Sequence, residues 1–205
     1  MQKPFDVEKA YKDANALLEG HFLLASGNHS NKYLQSAKVL EYPKKASLLA
    51  DALARMIKAH GIEADTVCAP ALGGVLAGYE LARSLDIRSI FVEKKEGGME
   101  LRRGFEVAKG EKVIICEDIV TTGGSALRAA QAIEALGGVI VAFASLANRG
   151  FCKRAGSDVV PKEECMLPKH IPLFSLDDFT FEMFSPEDCP LCKEGSTAIK
   201  PGSKS

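Results

Sequence analysis

Short apolar runs that alternate with helix-patterned segments constrain the fold of this chain more than any other feature. The runs KVIIC (Lys112–Cys116) and VIVAFASLA (Val139–Ala147) contain almost no polar residue, which is typical of strands buried on both faces. The segment between them, 124–136, places its apolar residues at helical spacing. Strands that alternate with helices predict an α/β fold with a mostly parallel sheet flanked by helices.

The same alternation extends toward the N-terminus. The apolar residues recur at the helical period over 43–60 and 74–85, and short apolar runs cover 65–68 and 89–92. The first two segments are predicted helices and the last two are predicted strands. Together with the runs above, they form a core of sheet and helices over residues 43–150.

The two ends of the chain break this alternation. Residues 1–42 contain one helix candidate, Val7–Leu18, and then a stretch rich in Ser, Gly, Asn and His. This region predicts a small N-terminal cap, or hood, on the main sheet, and we expect a single domain over 1–184. Residues 185–205 are rich in Cys, Pro, Gly and Lys, and we expect them to form a poorly ordered tail.

The charge balance of the chain excludes several kinds of partner. Its 205 residues include 26 Lys and Arg and 27 Asp and Glu, which gives a formal net charge of −1. A chain so balanced has no global attraction to nucleic acid or to an acidic membrane. Its apolar runs are far shorter than the roughly 20 residues that span a bilayer, and the start MQKPFDVEKA has no apolar signal core. We therefore expect a cytoplasmic protein without nucleic-acid or membrane partners.

The segment VIICEDIVTTGGS (Val113–Ser125) carries the most specific chemical signal. A buried strand brings two adjacent carboxylates, Glu117 and Asp118, to its carboxyl end, where ligands bind in open α/β sheets. The loop of small and hydroxyl residues that follows leads directly into a helix, whose free N–H groups suit a phosphate. The carboxylates would repel that phosphate, but they can accept hydrogen bonds from sugar hydroxyls. The segment therefore predicts a ribose 5-phosphate site, and it matches neither the dinucleotide fingerprint nor the Walker loop.

Val113–Ser125 closely resembles the phosphoribosyl pyrophosphate (PRPP) motif of the type I phosphoribosyltransferases. The resemblance implies that the acidic pair binds the ribose 2- and 3-hydroxyls and that the loop holds the 5-phosphate. A second small-residue loop, PALGG at 70–74, could hold the pyrophosphate through its N–H groups, although by itself it also fits a plain turn between strand and helix. The residues expected to bind PRPP are Glu117, Asp118, Ile119, Val120, Thr121, Thr122, Gly123, Gly124, Ser125, Ala71 and Gly73.

Three further segments resemble the orotate phosphoribosyltransferase family, in its short-loop subgroup. HFLLASGNHSNKYLQ (His21–Gln35) is similar to the cap motif that packs over the pyrimidine, and FVEKKEGGMELRRGF (Phe91–Phe105) is similar to the mobile basic loop. SLANRG (Ser145–Gly150) follows the last core strand, where the family places an Arg that binds orotate. The resemblance implies catalytic roles for Lys94, Lys95, Arg102 and Arg103, and orotate binding by Ser26, Gly27, Thr121 and Arg149.

The chemistry of these residues agrees with the implied roles. Four cations around the Gly97-Gly98 pair can close over a polyanion, exclude water and neutralise a leaving group, although such charge runs are also common in solvated hairpins. The planar guanidinium of Arg149 suits a carboxylate, which orotate has.

The resemblance implies transfer of phosphoribosyl from PRPP to N1 of orotate, which gives orotidine 5-phosphate and pyrophosphate in de novo pyrimidine biosynthesis. It also implies Mg²⁺ bound through PRPP, with no direct protein ligand, and a homodimer in which the basic loop reaches the neighbouring site. Two alternatives remain, a phosphoribosyltransferase for another base and a PRPP-sensing regulator without catalysis. A purine lacks the carboxylate that Arg149 would bind, and no basic face suited to nucleic acid is evident in the sequence.

The six cysteines and two of the histidines receive mainly structural interpretations. Cys68 and Cys116 end apolar runs and are predicted to be buried core residues. The CPLC motif, Cys189–Cys192, has half the spacing of a zinc site, but no second pair with matching spacing is present, so we expect free thiols. Disulfides are not expected in a cytosolic chain. His21 and His29 flank the cap motif, and we expect them at exposed or core-edge positions.

Overall fold

The computed structural model describes residues 6–24 and 27–201. Its helices and strands in chain order are α1 (Val7–Lys12), β1 (Leu17–Leu23), β2 (His29–Leu34), α2 (Ala37–Leu40), α3 (Pro43–Ala59), β3 (Thr66–Pro70), α4 (Gly74–Leu85), β4 (Arg88–Lys95), β5 (Gly98–Leu101), β6 (Lys112–Val120), α5 (Gly124–Glu134), β7 (Val139–Asn148), β8 (Leu173–Asp178), β9 (Met183–Phe184) and α6 (Pro190–Lys193). Within the described ranges, no helix is long and apolar enough to cross a membrane.

Six strands form the main sheet in the order β5-β4-β3-β6-β7-β8. Strands β4, β3, β6, β7 and β8 run parallel, whereas the edge strand β5 runs antiparallel to β4. This arrangement confirms the predicted α/β class and its mostly parallel sheet. Strand β6 continues beyond the predicted end at Cys116 as far as Val120, so it carries the acidic pair within its last residues.

Strand β6 is covered on both faces, as its apolar sequence requires. Val113 and Ile115 pack with residues of α5, whereas Ile114 and Cys116 pack with residues of α3 and α4. Cys68 and Cys116 are both fully buried, which confirms their interpretation as core residues. Because helices cover both faces, the carboxyl edge of the sheet is the part left open to a ligand.

A second sheet, antiparallel and with the strand order β1-β2-β9, forms the cap. The prediction of a helix over Val7–Leu18 is wrong beyond Lys12, where α1 ends. Asn15 then adopts a φ of 51°, and Leu17 begins β1. The leucines that suggested a helical period belong to a strand, because pairing with β2 outweighs local helix propensity.

The C-terminal segment differs from the poorly ordered tail that its composition suggested. Residues 185–201 include α6 and a bridge to β1, where Ile199 donates its N–H to the carbonyl of His21 at 2.9 Å. The carbonyl of Ile199 accepts from the N–H of Leu23 at 2.8 Å, and Cys189 is fully buried. These partners lie in the cap, far away in the sequence, so composition alone does not reveal them.

Candidate active site

Two carboxyl groups lie at the carboxyl end of β6, near the centre of the main sheet. Glu117 is 9% exposed, and burial raises its pKa to about 8, with a further increase from the neighbouring Asp118 carboxylate. The positive charges of Lys94 and Arg128 oppose this increase. Burial also raises the pKa of Asp118, although the N–H of Ile119 donates to its Oδ1 at 2.9 Å. Desolvated carboxylates of this kind are stabilised by ligand hydroxyls that donate to them.

The loop Thr121–Ser125 joins β6 to α5 and borders a pocket of about 240 Å³. Gly123 has a φ of +81°, and a Cβ there would lie 2.5 Å from Cγ of Leu167, so the path of the loop requires glycine. The first N–H groups of α5 have no carbonyl partner within the helix and are suited to an anion. The pocket is lined by Glu117, Ile119, Val120, Thr121, Thr122, Gly123, Gly124, Ser125, Arg128 and Met166.

The second small-residue loop, Ala71–Gly74, lies directly beside the carboxyl pair. A Cβ on Gly74 would lie 3.2 Å from Oε2 of Glu117, and a Cβ on Gly73 would lie 3.3 Å from Oδ1 of Asp118. Glycine therefore allows this loop to approach the end of β6 closely. The fold thus brings Ala71 and Gly73 to the same edge of the sheet as the predicted ribose-binding residues.

A larger cavity, of about 530 Å³, lies between the loop and the cap. It is lined by Leu24, Asn28, Tyr33, Leu34, Ile119, Thr121, Thr122, Arg149, Phe151, Glu164 and Met183. Because Ile119, Thr121 and Thr122 also line the smaller pocket, the two sites share a wall. A ligand with a sugar phosphate joined to a base therefore has room to occupy both.

Arg149 supplies a buried positive charge to the larger cavity. The residue is 7% exposed, and its Nε has no hydrogen-bond partner among the described residues. Burial lowers the pKa of the guanidinium to about 10, an effect that the phenol of Tyr33 partly offsets. A buried cation with no ion pair among the described residues favours an anionic ligand, and its planar geometry matches a carboxylate.

Neighbouring residues hold Arg149 in place. Its Cζ lies 4.2 Å from the centroid of the Phe181 ring, and its backbone N–H donates to the carbonyl of Val120 at 2.8 Å. The preceding residue, Asn148, is buried and donates from Nδ2 to Oδ1 of Asp178 at 2.7 Å. The guanidinium is therefore positioned before any ligand binds.

The four predicted catalytic cations lie on the hairpin formed by β4 and β5, and all four are exposed. Arg102 is paired with Glu100 at 2.8 Å and Arg103 with Glu93 at 2.6 Å. The positive charge of Lys94 opposes the increase in the pKa of Glu117, so this lysine lies near enough to interact with that carboxyl group. The described structure therefore brings one of these cations toward the site and leaves the two arginines paired on the hairpin itself.

The predicted cap residues are only partly described. Ser26 lies outside the described residues. Gly27 is exposed with a φ of +85°, and its N–H donates to the carbonyl of Leu24 at 3.0 Å. Leu24 and Asn28 both line the Arg149 cavity, so Gly27 lies next to two residues of the cavity wall.

Sequence reasoning missed two residues of the site. Arg128 lines the loop pocket, where its Nη2 lies 3.4 Å from Oγ of Ser125. A basic residue one turn into the helix after a phosphate-type loop is a signal that could have identified it. Tyr33 lies within the cap motif, but only the folded cap shows that it lines the cavity and interacts with Arg149.

A disulfide joins Cys152 and Cys165, whose Cα atoms lie 5.2 Å apart, so the expectation of no disulfide is wrong. The bond links the segment after β7 to the segment that packs on the phosphate loop, because Met166 donates its N–H to the carbonyl of Thr122 at 2.8 Å. The two cysteines are 13 residues apart in the sequence, and only the folding of this connection brings them together.

Two glycine-rich loops and a carboxyl pair at the open edge of a parallel sheet are the features of a phosphoribosyl-binding site. The sequence model of the family described as "Phosphoribosyl transferase domain" matches residues 36–165, more than half of the chain. The chain therefore has the fold of a phosphoribosyltransferase and belongs to that class.

Similarity to individual proteins shows which kind of phosphoribosyltransferase the chain resembles. Orotate phosphoribosyltransferase of Sulfurovum sp. (strain NBC37-1) is 79% identical to the chain over 199 residues, which cover 97% of this chain and 99% of that protein. The chain belongs to the orotate phosphoribosyltransferase family.

Solved structures show the same fold at much lower identity. The crystal structure of orotate phosphoribosyltransferase from Aeropyrum pernix has a TM-score of 0.68 at 22% identity, covering 83% of this chain and 92% of that one. The Mycobacterium tuberculosis H37Rv orotate phosphoribosyltransferase in complex with PRPP has a TM-score of 0.61 at 21% identity, covering 84% of this chain and 95% of that one.

Proposed function

We propose that the chain transfers the phosphoribosyl group of PRPP to ring N1 of orotate, forming orotidine 5-phosphate and pyrophosphate in de novo pyrimidine (UMP) biosynthesis. One observation carries the proposal. Arg149 is a buried guanidinium whose Nε has no partner among the described residues, and its cavity shares Thr121 with the phosphate loop. Orotate brings a carboxylate to this cation, whereas a purine base has none.

PRPP fits the smaller pocket and the two loops beside it. The loop Thr121–Ser125 and the N-terminus of α5 would hold the 5-phosphate, and Arg128 would add a positive charge. Glu117 and Asp118 would accept hydrogen bonds from the ribose hydroxyls. The N–H groups of the loop Ala71–Gly74 would bind the pyrophosphate, since this loop touches the carboxyl pair.

Orotate fits the larger cavity, with its carboxylate on Arg149 and its ring beneath the cap. Thr121 would contact both substrates because it lines both pockets. Gly27 and Ser26 would close the cap side of the ring. Bound in this way, N1 of orotate and the anomeric carbon of PRPP would be held together, which replaces a bimolecular encounter with a positioned one.

The reaction breaks the bond between the anomeric carbon and the pyrophosphate oxygen and forms a bond from that carbon to N1, which loses its proton. The sugar develops oxocarbenium character, as in other displacements at an anomeric centre. The protein therefore needs to position the substrates, neutralise the leaving group and exclude water. Closure of the hairpin would bring Lys95, Arg102 and Arg103 to the pyrophosphate beside Lys94, and the arginines would exchange their carboxylate partners for phosphate oxygens.

Magnesium fits this site as an ion carried by PRPP. Mg²⁺ prefers oxygen ligands and keeps several waters, and the carboxyl groups of Glu117 and Asp118 lie against the proposed pyrophosphate loop. We propose that these carboxylates face the waters of the hydrated ion and that the protein provides no direct ligand. The bound ion would supply positive charge to the departing pyrophosphate.

We further propose a cytoplasmic homodimer. Leu72, just before α4, and Leu76 and Tyr79, within α4, are 86%, 53% and 61% exposed, which is an apolar surface suited to a second copy. If each hairpin acts on the neighbouring site, mixing a Lys94→Ala/Lys95→Ala chain with a Glu117→Gln/Asp118→Asn chain will restore activity. Hairpins that act within their own chain would give a mixture as inactive as its components.

A cytoplasmic location follows from PRPP, whose phosphate charges keep it from crossing membranes.

The proposal is tested by following the loss of orotate absorbance in the presence of PRPP and Mg²⁺. We expect turnover by the parent chain, a large decrease in Lys94→Ala and Lys95→Ala, and little change in Lys153→Ala, an exposed lysine outside both loops. A parent chain that binds PRPP without converting orotate would contradict the proposal. Turnover of a purine instead would assign the site to another base.

A further inference from the structure

Four metal-ligating side chains converge where the C-terminal segment packs against the cap. His21 lies on β1, His29 lies on β2, Cys189 caps the N-terminus of α6, and Cys192 lies within that helix. One ligand atom from each residue lies within 4.8 Å of the other three. We refer to these residues as the Cys₂His₂ cluster.

The distances within the Cys₂His₂ cluster resemble the edges of a tetrahedron. Nε2 of His21 lies 2.9 Å from Nδ1 of His29 and 3.4 Å from Sγ of Cys189. Sγ of Cys192 lies 3.8 Å from Nε2 of His21 and 3.3 Å from Nδ1 of His29. Zn–N bonds of about 2.0–2.1 Å and Zn–S bonds of about 2.3 Å, at tetrahedral angles, separate ligand atoms by roughly 3.3–3.8 Å. The four distances above lie within about 0.5 Å of these edges, and the remaining pairs lie within 4.8 Å, so shifts of up to about 1 Å would enclose one ion.

We propose that the Cys₂His₂ cluster binds one Zn²⁺ in a closed tetrahedral site. Two thiolates and two imidazoles are a donor set that zinc prefers, and the Cys-x₂-Cys spacing is that of structural zinc sites. The two thiolates also neutralise the charge of the ion. Because the protein fills all four positions, the ion stabilises the fold and takes no part in phosphoribosyl transfer.

The surroundings of the cluster are those of a metal site. His21 and His29 are 7% and 9% exposed, Cys189 is fully buried, and Cys192 is partly exposed. Nδ1 of His21 lies 2.6 Å from Oγ of Ser196, which orients the ring and leaves Nε2 for the metal, as in many zinc-bound histidines. Without a metal, the contacts of the two thiols with the imidazoles would be weak hydrogen bonds of sulfur.

The ion would join the C-terminal segment to two neighbouring strands that lie far from it in the sequence, since Cys189 and His21 are 168 residues apart. It would attach the CPLC turn of the C-terminal segment to both cap strands that carry the histidines. His29 pairs with Phe184 in the ladder between β2 and β9, and the next pair along contains Met183, which lines the Arg149 cavity. Zinc would therefore stabilise the cap wall of that cavity.

Zinc content measured on the full chain under reducing conditions tests the proposal. The parent chain is supplied with Zn²⁺, desalted and analysed for metal, and we expect about one zinc ion per chain. Cys192→Ala should lose most of this zinc, and Cys192 is chosen because it is the least buried ligand. The matched controls Cys68→Ala and His170→Ala remove a thiol and an imidazole outside the cluster, and both should retain the zinc of the parent.

Cobalt substitution gives an independent result that does not require the variant to fold. Co²⁺ added to the zinc-free parent should produce the intense visible bands of a tetrahedral ion and a thiolate-to-cobalt charge-transfer band. A parent chain that holds no zinc after desalting would overturn the proposal, as would a weak octahedral cobalt spectrum. Full zinc retention by Cys192→Ala would also overturn it. Orotate turnover is a separate readout, so failure of the proposed function leaves the zinc result unaffected.

Discussion

The two pockets of this protein are built in opposite ways. The smaller pocket, which borders the loop Thr121–Ser125, is called the phosphate pocket here. It is formed mostly by one continuous segment, in which the end of β6, the loop and the start of α5 follow each other in the chain. The Arg149 cavity collects residues from the cap, the end of β6, the segment after β7 and β9. A continuous segment specifies its own geometry through strand, glycine and helix N-terminus, whereas a dispersed cavity depends on the whole fold.

The two pockets also differ in the charge that they bury. Burial raises the pKa of the carboxyl pair at the phosphate pocket, whereas burial lowers the pKa of the guanidinium in the cavity. Burial therefore disfavours the charged form of the carboxyl groups and of the guanidinium while no ligand is bound. Ribose hydroxyls and the orotate carboxylate would supply the missing partners, so the comparison can be tested by removing each group in turn.

The largest effect is expected for Glu117→Gln/Asp118→Asn. Hydrogen bonds to charged groups contribute about 1.5–3 kcal/mol each, so loss of both carboxylates should lower kcat/KM by about 10²- to 10⁴-fold. Steady-state kinetics with varied PRPP measures the change. If the phosphate pocket binds PRPP alone, the variant should still bind orotate with the affinity of the parent. A loss of orotate affinity as large as the loss of PRPP affinity would contradict the separation of the two pockets.

Arg149→Ala should have the next largest effect, confined to the other pocket. Removal of a buried charged partner typically costs about 2–5 kcal/mol, so kcat/KM for orotate should fall by about 10²- to 10³-fold while PRPP affinity changes little. Calorimetric titration with PRPP checks the second part. Lys153→Ala, which removes a nearby exposed cation, should match the parent in both measurements.

Gly74→Ala tests the close approach of the loop Ala71–Gly74 to strand β6. The added Cβ would lie 2.9 Å from the carbonyl oxygen of Cys116, and strain of this kind costs about 1–3 kcal/mol in the free energy of unfolding. Gly98→Ala is the matched change on the hairpin, where a Cβ meets nothing within 4 Å, and it should shift stability by less than about 0.5 kcal/mol. Denaturant unfolding measures both variants, and equal stability would contradict the tight loop contact.

A further expected effect is the pH dependence of stability due to Glu117. Its pKa of about 8 in the folded chain exceeds the ordinary value of 4.5, so the folded state retains a proton that the unfolded state releases. Stability from this group is fully present below pH 4.5 and is lost as the pH rises through about 8. Glu117→Gln should therefore raise the melting temperature relative to the parent at pH 8–9 and lose that advantage at low pH. The opposite order at high pH would show that the carboxylate is already well solvated.

The sequence predicted features formed by neighbouring residues and missed features formed by residues far apart in the chain. The alternation of apolar runs predicted β6, α5 and β7, because burial on both faces leaves a continuous apolar pattern. The sequence also predicted the positions of the acidic pair and its loop, because the strand before them and the helix after them fix those positions. The helix over Val7–Leu18 failed beyond Lys12, since its last leucines pair with β2.

The other omissions have the same origin. Cys152 and Cys165 form a disulfide through the folding of a long connection, and Cys189 finds its neighbours on β1 and β2. No spacing in the sequence relates His21 to the CPLC motif, so a second pair of metal ligands was not recognised. The dispersed parts of the molecule therefore required the structure, whereas the continuous pocket required it only for Arg128 and Met166.

The proposed function depends most on the assignment of the Arg149 cavity to a base that carries a carboxylate. The direct measurement compares kcat/KM for orotate and for uracil, which lacks that group, in the parent chain and in Arg149→Ala. We predict that the parent strongly prefers orotate and that Arg149→Ala loses most of this preference through a lower value for orotate. A variant that preserves the preference for orotate, or a parent that uses uracil equally well, would contradict the account.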